Sequence, residues 1–209
     1  MSKPKLVYFD IDGARGEAAR LAMVIGGVPF EDDRVKFADW EGRKSSTPFG
    51  ALPVLELEGQ TVAQSNGINR YVGKLAGLYP NDAWQAALCD EAMDAVEDIA
   101  TKVWSTMFLP PAEKKAQRES LVAGPLPDSL DRLQRRLVEH GGHYFADGRL
   151  TVADLKVFVW IRHLRSGQLD YVPVDLPDRV APRLVEHHER VKGHPAVEAY
   201  YAQRKAAAP

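Results

Sequence analysis

Residues 56–71, ELEGQTVAQSNGINRY, decide how the rest of the chain is read. Two short strands, residues 53–57 and 60–63, meet at a tight turn at Glu58-Gly59. The pattern changes at Gln64-Ser65. Asn66-Gly67 alone would signal a hairpin turn. Ile68, Tyr71, Val72 and Leu75 nevertheless share one face at helical spacing, so a helix over residues 66–76 is predicted. A strand entered through Pro53, next to a helix opened by Ser65, makes a polar, amide-lined pocket. The N-terminus of such a helix offers free amides and a positive dipole end, and it receives carboxylates readily.

Working outward, residues 5–10 (KLVYFD) are β-branched and aromatic and read as a strand. Residues 11–14 form a loop. From Arg15 the apolar positions Ala18, Ala19, Leu21, Ala22 and Ile25 keep helical spacing until Gly26-Gly27 ends the run. Residues 28–35 are a second strand candidate. Residues 37–48 are polar and irregular, with room for one loose helical turn. Strand, helix, strand, loop, strand, strand, helix is the order of a small α/β domain with a mixed sheet.

Residues 77–83 (GLYPNDA) are rich in turn formers and read as a linker. Helical periodicity then dominates, over residues 86–107, 112–124, 129–139, 150–164, 176–192 and 195–205. Thr151 and Asp154 have the spacing of a capping box. The predicted fold is therefore α/β plus all-α, with one domain over residues 1–78 and a helical one over residues 84–209.

Composition excludes several classes. With a formal net charge of −2, the chain has no basic stripe to follow a phosphate backbone, so nucleic acid is not an expected partner. No apolar run approaches the roughly 18 residues of a membrane span. The start, MSKPKLVYFD, has no apolar signal core. The single cysteine, Cys89, forms neither a disulfide framework nor a CxxC pair, which suits a reducing compartment. A cytoplasmic protein without a metal site is expected.

Several residues admit a structural and a chemical reading. Ser65 at a strand-to-helix junction is an N-cap, or a donor to an anionic ligand beside the helix amides. Pro53 marks a strand edge, or a cis proline that presents the backbone of Leu52 to a peptide-like ligand. Tyr8 is a core residue with its hydroxyl at the rim, or a phenol donating to a bound thiolate. Donation to the charged form lowers a thiol's pKa, and the thiolate is the nucleophile. Trp40 and Lys44 belong to a solvated loop, or aim donor-only groups at a ligand carboxylate.

The segments YFDIDGARGEAARLA, FADWEGRKSSTPFGALPVL, ELEGQTVAQSNGINRYV, DEAMDAVEDI and LTVADL carry a resemblance over nearly the whole chain. In this combination and order they resemble the cytosolic glutathione S-transferases, most closely the sigma-like class. The resemblance implies a thioredoxin-like N-terminal domain that binds glutathione and an all-helical C-terminal domain. The family's catalytic tyrosine falls on Tyr8, whose hydroxyl would hydrogen-bond the glutathione sulfur. Trp40 and Lys44 fall where the glycine carboxylate is held. Leu52, before a cis Pro53, falls where backbone groups pair with the cysteinyl part. Gln64 and Ser65 fall on the residues that bind the γ-glutamyl end. Phe9 and Arg15 fall beside the sulfur and the entrance to the second-substrate pocket.

The resemblance also implies a homodimer, in which Asp98 reaches the glutathione bound by the other subunit. The alternative for Asp98 is a solvated acidic face shared with Asp90, Glu91, Asp94 and Glu97. Trp104 and Phe108, read as part of the first long helix, are pocket candidates or interhelical core. The run Asp12-Gly13-Ala14-Arg15-Gly16-Glu17-Ala18 departs from the family pattern. It is one residue longer than usual and has alanine in place of proline.

The expected activity is transfer of glutathione to an electrophilic, mostly apolar second substrate. The alternatives are a non-catalytic binding protein for apolar ligands, and isomerase or peroxidase work with the same thiolate. Cysteine-dependent relatives are disfavoured, because residues 12–17 contain no cysteine.

Overall fold

Lys5–Phe9 form β1, whose apolar residues are buried on both faces of the sheet. It pairs in parallel with β2 (Glu31–Val35), Tyr8 opposite Arg34. Parallel neighbours need a crossover, which α1 (Ala14–Ile25) supplies. Pro29 has no N–H for a ladder, and β2 starts after it, later than the spacing predicts. A 3-10 turn at Phe37–Asp39 leads into the short α2 (Trp40–Lys44), so the polar stretch is more ordered than its composition suggests.

On its other side β1 pairs antiparallel with β3 (Val54–Leu57), which forms a hairpin with β4 (Gln60–Ala63). The turn residues Glu58 and Gly59 have φ of 52° and 77°, the left-handed pair that a two-residue type I′ turn requires. The sheet order is β2-β1-β3-β4, the mixed sheet expected. α3 follows over Ser65–Leu75 and packs on α1.

The computed structural model describes residues 2–207. These divide into two compact units, and the second spans Asn81–Lys192. It contains α4 (Ala83–Trp104), α5 (Pro111–Ala123), α6 (Pro125–Glu139), α7 (Val152–Leu164), α8 (Leu176–Val180) and α9 (Pro182–Lys192). α7 is buried along most of its length and packs against α4 and α9. The capping box forms, with Asp154 accepting from the Thr151 N–H at 2.8 Å. The periodic stretch 176–192 is two helices rather than one. Pro182 drives the preceding Ala181 out of helical geometry, to φ −144° and ψ 57°. Pro125 sits in the first turn of α6, where its missing N–H costs nothing, so that helix starts earlier than predicted.

The last helix, α10 (Pro195–Ala207), belongs to the first unit, where it packs on α1. Chain continuity places it with the helical half, whereas its polar side chains find partners on the sheet side. Tyr200 Oη accepts from Arg34 at 3.0 Å, and Arg204 Nε donates to Asp12 at 2.8 Å.

Candidate active site

Tyr8 sits on the central strand and is only 4% exposed. Its hydroxyl oxygen accepts the Arg15 N–H at 3.1 Å. That amide lies in the first turn of α1, where backbone donors have no intrahelical acceptor. Burial disfavours the phenolate and pushes the Tyr8 pKa up. The Arg15 amide and the charges of Arg15 and Arg20 pull the other way without reversing it. Tyr8 is thus a neutral phenol whose oxygen is engaged by an amide and whose own proton can be donated. The Arg20 guanidinium carbon lies 5.5 Å from the ring centroid.

Tyr8 and Leu52 share one buried cluster, with Phe9, Ala14, Trp40 and Ala63 packed against it. Phe9 stacks on Phe37 at 4.6 Å and meets the Trp40 ring edge-on at 5.5 Å. The aromatic contacts hold the Trp40 end of α2 against the sheet. Lys44, at the other end of α2, is exposed, with its ammonium 3.7 Å from Glu41. The Leu52-Pro53 bond is cis, and Pro53 directly precedes β3.

Ser65 is the first residue of α3 rather than its cap. The residue before the helix is Gln64, at φ 73° and ψ 113°. A non-glycine residue there carries strain of order 1–3 kcal/mol, which the surrounding fold must impose. Ser65 is buried and Gln64 exposed. Both lie at the junction of β4 and α3, as the sequence predicts.

In the second unit, Asp98 is exposed on α4. Trp104 ends that helix and packs on Trp160 and His163, with ring centroids 6.3 and 4.7 Å away. Phe108 is not on the helix, which stops at Trp104, and it is 92% exposed. It is not part of an interhelical core. Burial pushes the Cys89 thiol up to about 11, so it is no ready nucleophile. Among the described residues, no group of three His, Cys, Asp or Glu could hold a metal ion, and no helix is long and apolar enough to cross a membrane.

Two residues at Tyr8 escaped the sequence reading. Arg20 is charged and yet fully buried. It donates to the carbonyls of Phe9 (3.2 Å) and Ile11 (2.8 Å), to Asp32 and to Glu17. Arg20 lies opposite the apolar face formed by Ala18, Leu21, Ala22 and Ile25, so helical periodicity carries no signal for it. Gly16 is the other. A Cβ there would fall 2.4 Å from Tyr8 Cγ and 2.5 Å from Cδ1, so only glycine lets the helix backbone lie on the phenol ring. Gly16→Ala is expected to displace the ring. Overpacking of this kind costs about 1–3 kcal/mol of stability, with activity down roughly tenfold. Denaturant melts and steady-state rates check this, and wild-type values in both would show that the ring tolerates the methyl group.

Family models for the glutathione S-transferase N-terminal and C-terminal domains match residues 4–74 and 97–204. Glutathione S-transferase 1 of Ascaris suum is 33% identical over 208 residues, covering 98% of each chain. A solved prostaglandin synthase D of Nilaparvata lugens superposes with a TM-score of 0.87 at 28% identity, covering all of both chains. A sigma class transferase of Fasciola hepatica superposes with a TM-score of 0.84 at 25% identity, over 97% of this chain and 96% of the other. Proteins named as class-mu and Pi-class match as well. With its sheet, its cis Leu52-Pro53 and its buried Tyr8, the chain belongs to the glutathione S-transferase family, and glutathione S-transferase activity is the enzymatic function this membership supports.

Proposed function

We propose that the chain is a sigma-like glutathione transferase in which Tyr8 stabilises the glutathione thiolate for attack on an electrophilic, mostly apolar substrate. The observation that carries this reading is the Tyr8 hydroxyl: neutral through burial, and accepting the Arg15 amide at 3.1 Å. A phenol whose oxygen accepts a hydrogen bond directs its own proton outward. Donation to a sulfur anion is charge-assisted, roughly twice as strong as a neutral pair. Activation lies in the bound co-substrate, in keeping with a buried Cys89. No metal is called on.

Glutathione would lie on the first domain, residues 1–78, with the glycine carboxylate at Trp40 and Lys44. Its cysteinyl part would pair with the backbone of Leu52, before Pro53, and its γ-glutamyl end would reach Gln64 and Ser65. Phe9 and Arg15 would flank the sulfur. The second unit, residues 81–192, would supply the second-substrate pocket, with Trp104 and Phe108 as the named candidates. A cytoplasmic homodimer is part of this reading.

The test of the whole is conjugation of glutathione to a generic aryl halide. A rate no faster than the uncatalysed one, with measurable binding of an apolar dye and none of glutathione, would turn the reading toward a carrier of apolar ligands. The likeness to a prostaglandin synthase D favours one further reading, isomerase work with the same thiolate.

The dimer reading carries its own prediction. If Asp98 meets the glutathione amine held by the partner subunit, Asp98→Ala weakens glutathione binding about 10- to 100-fold, the range for a hydrogen bond to a charged group. Calorimetric affinities equal to wild type would remove that contact.

A further inference from the structure

The loop between β1 and α1, where the sequence is one residue longer than the family pattern, is gripped at nearly every residue. Asp12 Oδ1 accepts from Arg34 Nη1 at 2.9 Å and from Arg204 Nε at 2.8 Å. One guanidinium comes from β2 and the other from α10. Asp10 faces the same two arginines, at 3.3 and 3.5 Å. Arg34 is itself held by Asp32 at 2.7 Å and by Tyr200 Oη at 3.0 Å. From below, the buried Arg20 donates to the carbonyls of Phe9 and Ile11 and pairs with Glu17 and Asp32.

The loop then passes through Gly13, which is extended, and Ala14, at φ 56°. A left-handed alanine is disfavoured by roughly 1–2 kcal/mol, so this geometry is imposed by contacts outside the loop. The next residue is Arg15, whose amide lies on the Tyr8 hydroxyl. The aim of that amide therefore depends on where the loop delivers the first turn of α1. Burial works against the Asp12 charge, yet the hydrogen bonds from Arg204 and Arg34 hold its carboxyl below the usual range.

We propose that Asp12, clamped between Arg34 and Arg204, is a positioning residue for the transferase reaction. By anchoring the β1–α1 loop to β2 and to the C-terminal helix, it keeps the Arg15 amide on the Tyr8 hydroxyl and sets how well Tyr8 stabilises the bound thiolate. The inference rests on the reading of Tyr8 given above. It adds a part for α10, a helix that supplies no residue of the proposed glutathione contacts.

The experiment is the pH dependence of kcat/KM for glutathione conjugation, with ultraviolet difference absorbance reporting the bound thiolate directly. Wild type is compared with Asp12→Asn, Arg204→Ala, Arg204→Lys, Tyr8→Phe and the Asp12→Asn/Tyr8→Phe pair. Asp12→Asn and Arg204→Ala are expected to raise the apparent thiol pKa by about half a unit to one unit. Rates at neutral pH should fall about 3- to 10-fold, the scale of misaligning one donor rather than removing it. KM for glutathione should change less than about twofold, since uniform binding is untouched. Arg204→Lys should recover part of the shift.

In the Tyr8→Phe background Asp12→Asn should add nothing, because the two act through one hydroxyl. A lowered melting temperature with an unchanged thiol pKa would show a merely structural clamp and overturn the proposal. If Asp12→Asn does not fold, the Arg204 pair decides by the same readout. If Tyr8→Phe leaves the thiol pKa unmoved, the reading of Tyr8 falls and this one with it. If Tyr8→Phe shifts it and the clamp variants do not, only the positioning role falls.

Discussion

Replacing Tyr8 by phenylalanine is expected to lower the rate of glutathione conjugation at neutral pH by roughly 10²-fold, the usual cost of removing one preorganised donor from a developing anion. The ring is retained, so packing against Gly16 and the Leu52 cluster survives and the fold should change little. What is lost is the outward proton of the hydroxyl. The Arg15 amide, now without its acceptor, cannot replace it fully, being held in the first turn of α1.

The diagnostic signature is in the pH profile. On the proposed role of Tyr8, the donor holds the bound thiol below the ordinary value of about 8.5, and without it the apparent pKa should climb back toward that value. Activity of the variant should then recover as pH rises, because hydroxide generates the thiolate that Tyr8 no longer favours. A loss that is flat across pH, with the thiol pKa unmoved, would mean that Tyr8 orients substrate and does not activate sulfur.

The largest stability loss is expected at Asp154. This carboxylate is fully buried at the start of α7 and answers four groups. Oδ2 accepts from the Thr151 N–H and the Thr151 hydroxyl, both at 2.8 Å. Oδ1 accepts from the Phe145 N–H at 3.0 Å and meets His187 Nε2 at 2.9 Å. The residue therefore ties the preceding loop, the first turn of α7 and the middle of α9 to one point.

Asp154→Ala strands these groups in a dry interior and opens a small cavity. Breaking such a buried network costs about 3–5 kcal/mol, a large fraction of a typical domain's total. Asp154→Asn should also be damaging, since one of its two faces becomes a donor pointing at existing donors. Urea unfolding with tryptophan fluorescence measures the loss. A change below about 1 kcal/mol for Asp154→Ala would show that the loop and α9 are held by other contacts.

Much of this molecule is legible in the residues themselves because the relevant interactions are local. The β-branched and aromatic run locates β1, and Glu58-Gly59 locates the hairpin turn. The apolar spacing after Asn66 correctly outweighs its turn signal, and α3 forms there. Thr151 and Asp154 announce a capping box three residues apart. Prolines account for three of the boundary differences: Pro29 delays β2, Pro125 opens α6 early, and Pro182 divides one predicted helix into two. At Phe108 the helix period continues past the point where α4 ends, and periodicity contains no stop signal there.

The sequence by itself determined the order of elements and the mixed four-stranded sheet followed by helices. Those follow from chain spacing and side-chain chemistry, which need no partner far along the chain. Only the tertiary structure decided that Leu52-Pro53 is cis, that Gly16 must lie against the Tyr8 ring, and that Arg20 is buried beneath it. It also decided that α10 belongs with the sheet, through Asp12 and Arg204, 192 residues apart. Contacts at such separation are set by how packed elements meet and by which buried charges find partners there, and no local pattern encodes either.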